Sequence, residues 1–140
     1  MKKKVIQICS LVGLLIGLMV SAQAQTGTQY RAHIPFDFNV GNKTLPAGDY
    51  VIGLTNQAFN QDMLTIREAK SGEAKIVQLV PRAANGMSEI SKLVFNRYND
   101  QYFLAEMITP TLKGIFQKTK VEGSLAKKQK ALKETVAMKK

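Results

Sequence analysis

His33 is the only histidine of this 140-residue chain and Cys9 its only cysteine, so chemistry that needs several imidazoles or thiolates lacks the ligands. A multi-histidine zinc site is excluded, and an acyl-transfer triad would have to be assembled around one imidazole on the polar face of a strand. Carboxylates are more plentiful. Asp37, Asp49, Glu89, Asp100 and Glu106 are raw material for hydrolysis by paired acids, yet none lies in a recognisable motif and most fall in turns or on the polar side of strands. No Gly-x-Ser-x-Gly elbow, phosphate loop or dinucleotide fingerprint occurs. The expectation is a non-enzymatic protein with no cofactor and no metal. Arg97 follows Leu93 and Phe95 on one strand face, where its guanidinium either pairs, with Asp100 or Glu106 as partner, or marks a binding surface. Strand alternation sets Tyr98 and Tyr102 on the opposite side from Phe95 and Phe103, as a ligand-facing tyrosine pair for a sugar or peptide. Aromatics at strand period are otherwise read as core.

The remaining chemistry is charge. The formal net charge is +10, but residues 25–112 carry equal numbers of acidic and basic side chains; Lys2, Lys3 and Lys4 supply +3, and the remaining +7 lies in residues 113–140, with nine lysines against Glu122 and Glu134. The first reading is a solvated tail whose lysines keep the protein soluble, as charge runs usually are. The second is attachment to an anionic surface such as phospholipid head groups, lipopolysaccharide or an acidic polymer, with Lys118, Lys120, Lys127, Lys128, Lys130, Lys133, Lys139 and Lys140 as the contacts. Nucleic acid is disfavoured, because the tail has no aromatic beyond Phe116 on which bases would stack.

Elements of period two must position these groups. Tyr30, Ala32, Ile34, Phe36, Phe38 and Val40 alternate with polar residues and read as one long strand with a wet face, made an edge or bulged by Pro35, which cannot donate to a ladder. Residues 41–49 carry turn chemistry, and Tyr50, Ile52 and Leu54 continue in a second strand. Residues 63–68 and 74–80 flank Lys70-Ser71-Gly72-Glu73 as a hairpin. Beyond a loop holding the Asn85-Gly86 pair, residues 90–98 and 101–109 flank Asn99-Asp100 as a second hairpin. Six to seven short strands predict an all-β, antiparallel sandwich or barrel over residues 25–112. From Lys118 the period changes: Thr119-x-x-Glu122 has capping-box spacing, and Val121, Leu125, Leu132 and Val136 share one helical face. The tail, residues 113–140, is therefore expected to be a mostly helical, amphipathic C-terminal segment.

The first 24 residues read as an address. Three lysines precede an uncharged apolar run from Val5 to Val20, and Ala22 and Ala24 form a small-x-small cleavage signal, so a secretory signal peptide is expected to be cut after Ala24. The run is shorter than the roughly 20 residues that span a bilayer, and Cys9 lies inside it, so the mature chain has no cysteine and no transmembrane span. Export places the protein in the periplasm or outside a bacterial cell.

The blocks IPFDFNVGNKTLPAGDY (residues 34–50) and KLVFNRYNDQYFL (residues 92–104) resemble a family of small secreted bacterial proteins to which no activity or cofactor is attached. With the signal peptide they cover about half of the chain. The resemblance implies an exported, all-β domain. This chain has Asn96 and Asn99 where the family commonly has histidine and glycine, so histidine chemistry at position 96 is lost while the turn at 99 survives, because Asn tolerates positive φ. Family tails are mixed in charge, whereas this one is lysine-rich. The expected function is an envelope interaction or structural module whose basic tail attaches to an anionic surface or to another envelope protein. A β-barrel that binds a small lipid, sugar or peptide comes second and a small carboxylate-based hydrolase third.

Overall fold

A computed structural model describes residues 27–57, 61–82 and 89–140. The expected leader with Cys9, Ala22 and Ala24, and the Asn85-Gly86 turn, lie outside the described residues.

The protein is mostly β. Ten strands form one mixed sheet: β1 (Gln29–Ile34), β2 (Phe38–Val40), β3 (Lys43–Leu45), β4 (Gly48–Gln57), β5 (Gln61–Glu68), β6 (Ala74–Arg82), β7 (Lys92–Tyr98), β8 (Gln101–Ile108), β9 (Lys113–Ile115) and β10 (Leu132–Ala137), with one helix, α1 (Lys120–Lys128), between the last two. Pairing runs β1-β4-β5-β6-β9-β8, and β8 pairs in turn with β7 and β7 with β10. The short β2-β3 hairpin joins β8 beside β9. The two ends of this path, β1 and β10, touch through one isolated bridge, Arg31 to Lys139.

Ten strands replace the six to seven expected, for three physical reasons. Pro35 divides the long first strand: β1 pairs with β4, and after the break β2 crosses to β8. The alternation nevertheless survives the break, since Tyr30, Ala32, Ile34, Phe38 and Val40 are all buried. Residues 41–49 include a strand of their own, β3, turned back on β2 at Gly41, whose φ of 58° suits glycine. The tail supplies β9 and β10. The all-antiparallel expectation fails at one pair only, β2 with β8, which is parallel because the chain has crossed the molecule to reach it. Both expected hairpins form, and Asn99 takes the positive φ of its turn, 52°.

The core is apolar and continuous. Tyr30, Ile34, Phe38, Tyr50, Ile52, Leu64, Ile66, Leu79, Leu93, Phe95 and Met107 point inward from the strands. Phe38 sits edge-on to both Tyr50 and Phe95, with centroids 5.2 and 5.5 Å away, the arrangement ring quadrupoles prefer. Burial, with Glu68 and Asp37 nearby, pushes the Tyr50 hydroxyl up to about 12, and it donates to the Pro46 carbonyl at 2.6 Å. Tail residues belong to this core: Phe116, Val136 and Met138 are buried in it. Gly114 of β9 lies under Leu79, whose Cδ1 is 2.1 Å from where a β-carbon would stand, so any larger residue there must displace the buried Leu79 side chain.

The mostly helical tail is corrected accordingly. Helix α1 covers nine residues, and Leu132 and Val136, expected on its face, belong to a strand paired with β7. Their spacing of four is also an even number, so it satisfies strand alternation as well as a helical turn.

Candidate functional site

The outer face of the β7-β8 hairpin lies under α1. Val94, Asn96, Tyr98 and Phe103 are buried there, and Phe103 meets Tyr98 edge-on at 5.9 Å. Thr119 caps the helix as its spacing predicts, accepting from the Glu122 amide at 3.2 Å. The other half of the capping box is absent. Glu122 does not reach back to the cap; at 3% exposure its carboxyl turns into the protein, where Oε1 accepts from Asn96 Nδ2 at 2.7 Å and from the Tyr98 hydroxyl at 3.5 Å. Burial first, and the Glu122 charge and hydrogen bond second, raise the Tyr98 hydroxyl above its ordinary value. A polar contact this far from water is costly to break on one side, so it fixes the helix to the sheet.

With Glu122 turned inward, the lysines face outward. Lys118, Lys120, Lys127, Lys128 and Lys130 are exposed and, among the described residues, none makes an ion pair. On a 100° wheel Lys120, Ser124 and Lys127 lie opposite Glu122, with Lys128 and Val121 at one flank. Val121 is 62% exposed beside them. The other expected contacts lie elsewhere. Lys133 binds Glu106 at 3.2 Å, which Lys113 also binds at 3.2 Å. Burial raises the Glu106 carboxyl, but its hydrogen bonds and charge contacts with the two lysines outweigh this and hold it below its ordinary value. Lys139 and Lys140 stand at the far end of β10, beside β1.

The ligand-facing tyrosine pair is not formed. In the β7-β8 register Arg97 opposes Tyr102 and Tyr98 opposes Gln101, so Tyr98 and Tyr102 fall on opposite faces. Tyr98 is 2% exposed under the helix, and Tyr102 packs against the core, stacked on Phe36 at 3.8 Å. Arg97 pairs with neither Asp100 nor Glu106: it donates from Nε to the Asn99 carbonyl at 2.8 Å and lies over the Tyr102 ring, 5.5 Å from its centre. The candidate carboxylates are dispersed. Asp37 accepts from the Ala47 amide, Asp49 from His33 Nδ1 at 2.8 Å, and Glu106 from the two lysines, while Asp100 sits in the hairpin turn and Glu89 is exposed.

A cleft of about 910 Å³ lies outside the core, where β1 and β10 part beyond their single bridge. Arg31, His33, Arg67 and Lys139 line it with Val51 and Ala137. Arg31 and Arg67 stand four strands apart in sequence order and share no motif, so only the β1-β4-β5 register, Arg31 to Val51 to Arg67, unites them; alternation with buried neighbours put each on the polar face of its own strand.

Among the described residues, no group of three metal-ligating side chains is gathered and no helix is long and apolar enough to cross a membrane. No family model matches the chain, and neither the curated proteins nor the solved structures provide a significant match.

Proposed function

We propose that this is an exported, non-enzymatic β-barrel that attaches to anionic phospholipid head groups through the outer side of α1. The observation that carries the reading is the set of five exposed lysines, Lys118, Lys120, Lys127, Lys128 and Lys130, none of which has an acidic partner among the described residues. The buried Glu122 contact supports it, because a helix fixed to the sheet presents its lysines together instead of as a loose chain. Each lysine near an anionic surface contributes roughly 1 kcal/mol at low salt, so five suffice for reversible attachment. Exposed Val121 adds a small apolar contact. The barrel description rests on the return of the pairing path from β10 to β1 through the Arg31-Lys139 bridge. The periplasm or cell exterior follows from the leader-like first 24 residues.

Co-sedimentation of the protein, purified after export from its full reading frame, with phosphatidylglycerol vesicles and with phosphatidylcholine vesicles tests the reading. Binding to the first alone, falling steeply between low and high salt, is expected. Equal binding to both, or none, contradicts it.

A second reading, a binder of small ligands, has one observation in its favour, the cleft of about 910 Å³ at the β1-β10 seam. The interior is filled by the apolar core and offers no support to it. No observation favours the hydrolase.

A further inference from the structure

Two strands join α1 to the sheet, and each carries a lysine on the face that the helix covers. Lys113 stands on β9, whose chain runs on through Lys118 into α1, and Lys133 stands on β10, into which the chain passes after the helix. In the β10-β7 register Lys133 opposes Asn96, the residue that Glu122 of α1 holds, and register partners project from the same side of a sheet. Glu106 of β8 opposes Val94, which is buried on that side too. The ground beside the helix is therefore set with two lysines and one carboxylate.

The carboxylate lies between the lysines. Its Oε2 meets Lys113 Nζ and its Oε1 accepts from Lys133 Nζ, each at 3.2 Å. Two ammonium groups thus converge on one oxyanion, as they would on a phosphate held by both. The Glu106 side chain is 21% exposed and those of Lys113 and Lys133 are 37% and 54% exposed, so the cations reach water above the anion that pairs them. Lys118, Lys120, Lys127, Lys128 and Lys130 carry no such counter-charge among the described residues.

We infer that the anion-binding face extends from α1 to Lys113 and Lys133, and that Glu106 restrains it by holding both lysines as an internal counter-ion. The inference rests on the attachment reading of α1 and adds what limits that attachment. A lysine that must leave a carboxylate before it meets a lipid phosphate exchanges one oxyanion for another, so little is gained. The carboxylate left behind then repels the anionic surface. Removing its charge releases two cations next to the five already free.

The test compares affinity for phosphatidylglycerol vesicles at low salt between the exported, purified protein and three variants: Glu106→Gln, Asp49→Asn, and Glu106→Gln combined with Lys113→Gln and Lys133→Gln. Asp49→Asn changes the net charge as Glu106→Gln does, but on the bare β1-β4 side. Glu106→Gln is expected to bind about fivefold tighter, the effect of one positive charge gained near the surface. Asp49→Asn is expected to bind as the unmodified protein does, and the triple variant no tighter than it. Thermal melts check that each variant keeps the fold. No gain from Glu106→Gln, an equal gain from Asp49→Asn, or a gain that survives loss of both lysines overturns the inference and leaves the α1 reading standing. Binding by Glu106→Gln but not by the unmodified protein supports the restraint and contradicts attachment through the five helix lysines alone. Binding by neither overturns both.

Discussion

The β7-β8 hairpin and the β1-β4 pair both bury one face in the same apolar core, and they differ on the outside. Behind β7 and β8 the outer face is covered by α1, and the polar groups enclosed there, Asn96, Tyr98 and Glu122, bond to one another. Behind β1 and β4 the outer face is bare: Arg31 and His33 are exposed, and the β1 edge meets β10 at a single bridge. One stretch of chain, residues 113–140, creates both conditions. It seals one side with a helix and a strand and reaches the other with only Lys139. The lysine-rich segment is therefore part of the fold, and its charge is presented from a fixed support.

The largest expected effect follows from removing that segment. A chain ending at Leu112 loses β9, α1 and β10, with the six register pairs of β10 on β7 and the core residues Phe116, Val136 and Met138. Thermal denaturation followed by circular dichroism is expected to show no cooperative transition, and a melt like that of the full chain would separate the tail from the fold after all.

Smaller changes probe the sealed side. Glu122→Ala leaves Asn96 Nδ2 buried without its acceptor and is expected to cost about 1–3 kcal/mol in urea unfolding. Replacing both partners, with Asn96→Leu and Glu122→Leu together, should recover much of that loss, because no polar group is then stranded. Additive losses would mean that the contact does not act as a pair. Gly114→Val forces its side chain into Leu79 and is expected to cost a comparable amount, roughly 1–3 kcal/mol, by overpacking.

The smallest effect concerns Glu106. Its carboxyl is held below the ordinary value by Lys113 and Lys133, so the ionised form is favoured in the folded state. The resulting stability is fully present above the unfolded carboxylate value of about 4.3 and is lost as pH falls through the lower folded value. Partial solvent exposure limits it to under about 1 kcal/mol. Glu106→Gln should lower stability slightly at neutral pH and flatten its decline in acid, and an unchanged acid limb would exclude Glu106 as a contributor.

Much of the β body is legible in the sequence. Alternation marks the buried residues of β1, β2 and β4, the β-branched and aromatic arms around Asn99-Asp100 mark the second hairpin, and Thr119 marks the start of α1. The losses have physical causes. Proline at position 35 interrupts hydrogen bonding without interrupting alternation, so burial is predicted and strand identity is not. Leu132 and Val136 satisfy both periods, and pairing with β7 decides between them. Glu122 obeys the capping-box spacing, but the unmet donor on Asn96 draws its carboxyl inward. The lysine face was half legible: the charge excess is plain, but the diversion of Lys133 to Glu106 and of Lys139 to the seam depends on tertiary contacts. The cleft joins residues from strands distant in sequence and has no local pattern at all.

The proposed attachment depends on where the positive charge stands, not on how much of it there is. Two triple variants of equal charge separate these: Lys120→Gln, Lys127→Gln, Lys128→Gln on the helix, and Arg31→Gln, Arg67→Gln, Lys139→Gln at the seam. Affinity for phosphatidylglycerol vesicles at low salt is the measurement. The helix triple should lose roughly 1 kcal/mol per lysine, and the seam triple should bind nearly as the unmodified protein does. Equal losses from the two would contradict the account and leave net charge as the explanation.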